Sequence, residues 1–361
     1  MDFSPGRIQI GSDISVIQHS KKVTGIQRVI VETHKYLEAG LDSERYRLSG
    51  FSHDREPSRN FLENEYLSSD PVLTSEFVDL EKVDVVLGLD INYFLNLREF
   101  LDLKRKNEIK VIYLIYDILP ILHPEWFLTQ DSKVAMRKFV QSTFLVADYI
   151  VVNSTKVKND LINLGWTIKA EIKVIPLGAY KIPLKITTLD TKRVNLLCVG
   201  TIEPRKGHSD VLAAFDILLS KNIDVELNIV GNYGWNAENI VARISQHPEF
   251  NHRLFWYSDI DDQQMEILYG KSKFAIMASF DEGFGLPLEE ALAHRRVVIA
   301  RDIPVFRERE STNVKFFSRS AIDLADAIIA NVHTTWDSSS NVKVRSMQDF
   351  AEDLKKLIES V

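Results

Sequence analysis

One stretch, Asp281-Glu-Gly-Phe-Gly-Leu-Pro-Leu-Glu-Glu-Ala-Leu-Ala-His294, leaves the chain around it the fewest options. It follows the apolar run Phe274-Ala-Ile-Met-Ala278, which reads as a buried strand. Gly283 and Gly285 punctuate a turn. Pro287 then suits the first turn of a helix, where its fixed φ is favourable and its missing N–H costs nothing. Glu289 and Glu290 fall in that turn, where carboxylates complement the positive end of the helix dipole. Strand, open glycine loop and helix N-terminus, in that order, present backbone N–H groups to polar or anionic ligand atoms. Glu282 stands at the loop entrance and Glu290 one turn into the helix. An ordinary capped turn has no need of two carboxylates so placed.

The same order occurs once more in the C-terminal half. The run Val194 to Val199 reads as a strand and leads into Gly200-Thr-Ile-Glu-Pro-Arg-Lys-Gly-His208. The helix that begins near His208 carries Val211, Leu212, Phe215, Leu218 and Leu219 on one stripe. Arg205 offers a planar fork of donors, and Lys206 adds a compact charge. Further strands are expected at Val225 to Val230, Leu254 to Tyr257 and Val297 to Ala300, the last followed by a loop over Asp302 to Phe306. The acidic run Ser258 to Asp262 looks like a metal motif, yet Asp261 and Gln264 have the spacing of a capping box. No metal is inferred from it.

In the N-terminal half, short apolar runs alternate with amphipathic segments, the pattern of βαβ units and a mainly parallel sheet. Strands are expected at Ile8 to Ile10, Val83 to Leu87, Val111 to Ile115, Asp148 to Val152 and Glu171 to Ile175. Helices are expected over Ile26 to Leu37, with Thr24 and Gln27 in capping-box spacing, and over Ser132 to Val146. Residues 41–75 are polar without a sustained period and read as a loop region. The strand that ends at Tyr116-Asp117 matters because ligands gather beyond the carboxyl ends of strands in open α/β sheets. Pro176 to Lys192, rich in Pro, Thr and Lys, reads as a linker. Met347 to Val361 closes the chain as a helix.

Size and composition agree with two domains. The chain has 361 residues, 45% apolar and 26% charged, as in soluble globular proteins. Its net charge of −7 argues against a general nucleic-acid binder. The basic clusters Lys21-Lys22 and Lys104-Arg-Lys106 read as solvated surface. The single cysteine, Cys198, lies in an apolar run; it reads as a buried strand residue in a reducing compartment. No signal peptide is seen, and no run approaches the roughly 20 apolar residues of a membrane span. A cytoplasmic location is expected, with association at the inner face of a membrane compatible with it.

The segment around Glu282 and Glu290 resembles the retaining glycosyltransferases of family 4, whose signature is two glutamates separated by seven residues around a Glu-Gly-Phe-Gly-Leu-Pro core. The resemblance implies an α/β protein of the GT-B fold, two Rossmann-like domains with parallel sheets facing across a cleft. The domains would be residues 1–178 and 193–340, joined by a linker over 179–192, with 341–361 crossing back to the first. It implies a nucleotide-sugar donor, a glycan or lipid-linked acceptor, retention of configuration and no metal cofactor. The donor would be held by Gly25, Gly200, Arg205, Lys206, Glu282, Gly283, Phe284, Gly285, Leu286 and Glu290. Glu290 would take the ribose hydroxyls, Glu282 the hydroxyls of the transferred sugar, and Arg205 with Lys206 the diphosphate. The catalytic set would be Glu282, Arg205, Lys206 and Asp117.

Two further segments, Thr24 to Val29 and Tyr116 to Phe127, resemble family members that assemble surface polysaccharides, as in lipopolysaccharide. A GDP-sugar, GDP-mannose first, is preferred over a UDP-sugar. Tyr116 stands where the family usually has histidine, so no imidazole chemistry is assigned there. His123 reads as loop packing beside Pro124. Arg28 is open between surface and anion-binding roles. A nucleotide-sugar epimerase, a phosphorylase or a non-catalytic binding protein on the same fold are the alternatives. An oxidoreductase is disfavoured, because no Gly-x-Gly-x-x-Gly follows the first strand.

Overall fold

The structure is a computed structural model that describes residues 6–17, 25–51, 70, 72, 78–91, 97–127, 129–183, 193–340 and 343–361. The chain divides into two compact units. The first comprises Met1–Leu122, Thr129–Tyr180 and Arg345–Val361; the second comprises His123–Leu128 and Lys181–Val344. The expected capping residue Thr24 and most of the expected linker, 184–192, lie outside the described residues.

In the first unit, β1 (Ile8–Asp13), α1 (Gly25–Gly40), β2 (Tyr46–Phe51) and β3 (Val85–Gly88) come first. Next come α2 (Leu97–Asn107), β4 (Lys110–Ile115), α3 (Leu119–Leu122) and α4 (Gln130–Val146). β5 (Tyr149–Val152), α5 (Thr155–Asn163) and β6 (Glu171–Val174) complete the sheet. Every strand pair is parallel, in the order β2-β1-β3-β4-β5-β6. β3 and β5 are apolar almost throughout because helices cover both faces, so two-residue alternation is absent.

The second unit repeats the scheme. β7 (Val194–Val199), α6 (His208–Ser220), β8 (Val225–Val230), α7 (Glu238–Ser245) and β9 (Leu254–Tyr257) build one half. α8 (Asp262–Lys271), β10 (Phe274–Met277), α9 (Leu286–Ala293) and β11 (Val297–Arg301) follow. α10 (Pro304–Arg307), β12 (Val314–Phe317) and α11 (Ala321–Ala330) end it. The parallel order is β12-β11-β10-β7-β8-β9. Phe215, Phe274, Ile276 and Leu324 lie in the core on one face of this sheet, and Tyr269, Leu292 and Phe306 in that on the other. Asp261 does cap α8, and the Gln264 side chain returns the bond. No described helix is long and apolar enough to cross a membrane.

Two expectations fail. The reading of 41–75 as loop is overturned by β2, which pairs with β1 along six residues. Arg47, Ser49 and Gly50 interrupt its apolar pattern, and its register comes from the main chain of β1 rather than from its own side chains. The loop expected over Asp302 to Phe306 instead enters the short helix α10, started by Pro304.

A buried chain of hydrogen bonds joins Ser12, His34 and Asp70. Ser12 Oγ lies 2.8 Å from His34 Nε2, and His34 Nδ1 lies 2.7 Å from Asp70 Oδ2. The order is that of a hydrolase triad, but all three residues have zero exposure, so no substrate reaches the serine. The bonds tie residue 70 to the sheet.

The last helix, α12 (Met347–Glu359), belongs to the first unit and packs on α1. Its entry is fixed by main-chain bonds from Ala179 N–H to Arg345 O (2.8 Å) and from Met347 N–H to Ala179 O (3.0 Å). This crossing leaves no room at residue 178: a Cβ on Gly178 would stand 2.3 Å from the Ser346 carbonyl. Gly178→Ala should therefore cost about 1–3 kcal/mol and loosen α12. Thermal unfolding with limited proteolysis of the C-terminal segment checks this; an unchanged midpoint and cleavage pattern would contradict it.

Candidate donor-binding site in the second unit

In the second sheet, the chain runs outward from β7 through β8 to β9, then returns to place β10 on the other side of β7. β7 and β10 thus flank the point where the winding reverses, where ligands bind beyond the carboxyl ends of the strands. The two loops singled out by sequence, 200–208 and 278–286, leave the sheet there. They are tied directly: Phe280 N–H donates to Arg205 O at 2.8 Å.

Glu282 is the hub between them. Arg205 Nη1 donates to its Oε2 at 2.8 Å, Ser279 Oγ donates to its Oε1 at 2.8 Å, and Lys206 Nζ also donates to Oε1. Arg205 Nε also lies 2.7 Å from Oε1 of Glu203, which is 1% exposed. Burial works against the charge on Glu282, but the charges of Lys206 and Arg205, with hydrogen bonds from Lys206 and Ser279, hold its carboxyl down at about 2. Three of about four acceptor positions of this carboxylate are filled, and the remaining one is on Oε2.

Backbone geometry explains two glycines. Gly207 has φ of 71°, and a Cβ there would stand 2.2 Å from Ala278 O; its absence lets the two loops touch. Gly285 has φ of 88° and faces the Phe306 ring, where a Cβ would stand at 2.6 Å. Gly285 caps α9, with Pro287 in the first turn as expected. Gly200, Gly283, Phe284 and Leu286 lie on the same edge of the sheet.

The two glutamates of α9 have different partners. Glu289 is buried and receives Arg309 Nε at 2.8 Å, an internal ion pair. Glu290 is partly exposed and accepts from the Tyr269 hydroxyl at 3.3 Å. Tyr269 itself stacks on His294, which adds an aromatic support behind Glu290. Arg296 is buried and donates to the Ser272 and His294 carbonyls.

Two residues of this site carried no functional reading in sequence. Arg301, at the end of β11, is 4% exposed; it donates to Ala278 O at 2.9 Å and to Asp210 Oδ2 at 2.6 Å, and it stacks on Phe280. It fixes the loop that carries Glu282 against α6. His208 is 1% exposed, against the Glu203 main chain and beside Lys206 and Glu282. Burial and the Lys206 charge push it down to about 4, so it is neutral at physiological pH. Neither had a local signal: a lone arginine and a lone histidine acquire meaning only through neighbours distant in sequence. Cys198 is a buried strand thiol, pushed up to about 12 by burial, and no nucleophile.

His123 does more than pack beside Pro124. Its ring stacks on Trp126 and its Nε2 lies 3.5 Å from Asp281 Oδ2, one residue before Glu282. The remaining expected residues belong to the first unit. Gly25 opens α1, and its carbonyl accepts from the Tyr180 hydroxyl at 2.6 Å. Arg28 lies over the Tyr180 ring, 4.4 Å from its centroid. Asp117 caps α3 by accepting Leu119 N–H at 3.0 Å. Tyr116 is buried and donates its hydroxyl to Leu89 O at 2.8 Å, a main-chain brace in place of a histidine.

The ion-pair hub sets a pH signature. Glu282 has a lowered folded pKa, so its contribution to stability is complete above its ordinary value of 4.5 and is lost as pH falls towards about 2. Glu282→Gln leaves Lys206 without its carboxylate and Arg205 with Glu203 alone, and because both cations are only partly buried this costs on the order of 1–3 kcal/mol. Urea unfolding between pH 2 and 7 should show the variant less stable at pH 7 and the gap closing below pH 4.5. A gap independent of pH would refute the assignment.

Comparison with known proteins agrees with this geometry. Residues 184–343 match the family model of glycosyl transferases group 1. A serotype-specific mannosyltransferase, WbdA of Escherichia coli, is 32% identical over 351 residues, which is 88% of this chain and 42% of that protein. The O-antigen chain mannosyltransferase RfbU of Salmonella typhimurium is 26% identical over 197 residues, 54% of this chain and 52% of its own. The chain thus spans about two fifths of the WbdA proteins it matches. Among solved structures, Anabaena HepE in complex with UDP superposes with a TM-score of 0.71 at 15% identity, covering 98% of this chain and 100% of its own. Sucrose-phosphate synthase from Thermosynechococcus elongatus gives 0.66 at 16%, over 97% and 94%. These neighbours share the GT-B fold, and residues 184–343, the segment that carries Arg205, Lys206 and Glu282, belong to the glycosyl transferases group 1.

Proposed function

We propose that the protein is a retaining glycosyltransferase that moves a sugar, mannose from GDP-mannose first, to a glycan or lipid-linked saccharide in surface-polysaccharide assembly. The observation that carries this reading is the convergence of Arg205, Lys206 and Glu282 at the reversal point of the second sheet. The mannosyl preference rests on the names of WbdA and RfbU. Work at the inner face of the cytoplasmic membrane fits such an acceptor.

In the reaction, the bond from the sugar C1 to the donor phosphate oxygen breaks while the acceptor hydroxyl forms a bond to C1 from the same face. The hydroxyl proton passes to the departing diphosphate. Negative charge grows on that diphosphate, and Arg205 and Lys206 meet it, with the helix N-termini of α6 and α9 adding N–H dipoles. Glu282 holds both cations in place and offers its remaining Oε2 position to a sugar hydroxyl. Glu290 takes the ribose hydroxyls. These side chains supply the electrostatics that a metal supplies in other transferases, so transfer should survive a chelator.

A thermal-shift screen of the full chain against nucleotides and nucleotide sugars tests the reading, because a ligand bound only by the folded state raises the midpoint. GDP-mannose should raise it, and Lys206→Ala or Arg205→Ala should lower kcat by about 100-fold or more. Wild-type rates in either variant, or no shift with any nucleotide, would overturn the proposal.

A further inference from the structure

The strand order of the first sheet fixes where three of its helices lie. β3, β4, β5 and β6 are neighbours in that order, and each is parallel to the next. Crossovers between parallel strands are right-handed, so α2, α4 and α5, which make these three crossovers, cover one face of the sheet side by side. Side-chain contacts agree. α4 packs on α2, and Arg137 of α4 lies over the ring of Trp166, just beyond α5, 5.2 Å from its centroid. α4 turns Met136, Phe139, Val140 and Phe144 into the core. Its opposite stripe, Val134, Lys138, Gln141 and Leu145, is exposed and has helical spacing.

A surface helix keeps polar residues on its outer side, yet Leu145 is 58% and Val134 49% exposed. Ile162, in the last turn of α5, is 51% exposed. Among the described residues the first unit exposes four large apolar side chains, and three of them are on this one layer. Leu145 also lines, with Leu101 and Arg105, an open depression of about 630 Å³ between α2 and α4. The charge around these apolar tips is positive. α2, α4 and α5 carry nine lysines and arginines against four acidic residues, in a chain whose net charge is −7. Lys104 and Lys156 are paired with Asp148 and Asp160. Arg98, Arg105, Lys106, Arg137 and Lys138 are exposed, with the exposed acids Asp102 and Asp131 among them.

Apolar tips set among cations on a broad face fit an anionic bilayer. Val134 and Leu145 stand about 16 Å apart along α4, with Lys138 between them. Apolar side chains of this kind enter the boundary between headgroups and acyl chains, while lysine and arginine reach lipid phosphates from stems that lie along apolar surface. A second copy of the chain would bring like charge against like, and a nucleic acid offers no apolar boundary for the exposed tips. We propose that the outward face of α2, α4 and α5 docks the first unit on an anionic membrane surface, with Val134, Leu145 and Ile162 entering the headgroup layer and Arg105, Arg137 and Lys138 meeting lipid phosphates. This goes beyond the glycosyl-transfer reading and does not depend on it.

Sedimentation of the full chain with lipid vesicles tests it. The wild type should sediment with vesicles of phosphatidylglycerol mixed with phosphatidylcholine, should stay in solution with phosphatidylcholine alone, and should be released progressively as salt is added. Two double variants separate the contributions: Arg105→Glu with Lys138→Glu, and Val134→Ser with Leu145→Ser. Each should lower the vesicle partition coefficient about tenfold or more. All four side chains are exposed, so the unfolding midpoint and any nucleotide thermal shift should stay close to wild type. No binding of the wild type to the anionic vesicles, equal binding to neutral ones, or wild-type partition in either double variant would each overturn the proposal. If anionic vesicles bind the wild type while no nucleotide shifts its midpoint, the transferase reading fails and the membrane face stands.

Discussion

The second unit depends on one carboxylate holding two cations. Glu282 is 8% exposed, and burying its charge there is tolerable only because Lys206 and Arg205 come with it. The pairing sets much else. Gly207 has no side chain because the loop bearing the cations must reach the Ala278 carbonyl. Arg301 is buried because something must hold the other loop against α6. His208 stays neutral because burial, and after it the Lys206 charge, disfavours a third cation there. A charge-balanced cluster of this kind is preorganised: its dipoles and charges are in place before any donor arrives, so little reorganisation remains to be done during reaction.

The two units use one topological device with opposite chemistry. At each reversal point, the loops of two adjacent strands diverge and open a place for side chains that no core residue fills. In the second unit that place holds two cations around a carboxylate. In the first, between β1 and β3, it holds the carboxylates of Asp13 and Asp90 and the buried phenols of Tyr113 and Tyr116. Diphosphate chemistry suits the former and not the latter. The fold alone says nothing of this difference; the residues at the strand ends carry it.

Much of this was legible in the chain, for physical reasons that differ by residue. The strand before Asp281 and the helix after Pro287 were legible because apolar period and proline chemistry are local. The resemblance implies that Arg205, Lys206 and Glu282 serve one donor, but that Glu282 pairs with both cations is not legible, since nothing in local sequence joins residues 76 or 77 apart. β2 was missed because an edge strand with Arg47, Ser49 and Gly50 borrows its register from β1. Asp90 carries no local signal, because one aspartate after a strand looks like a turn residue; only its burial beside Asp13 distinguishes it. Tyr116 was recognised as a departure, but its bond to Leu89 O required the three-dimensional path of β3.

The central claim is that Arg205 and Lys206, oriented by Glu282, recognise a diphosphate. Comparing GDP with GMP in calorimetric titrations of the full chain tests it most directly. The account predicts that GDP binds much more tightly than GMP and that Lys206→Ala erases most of the difference. Equal affinity for the two nucleotides in the wild-type protein would contradict it.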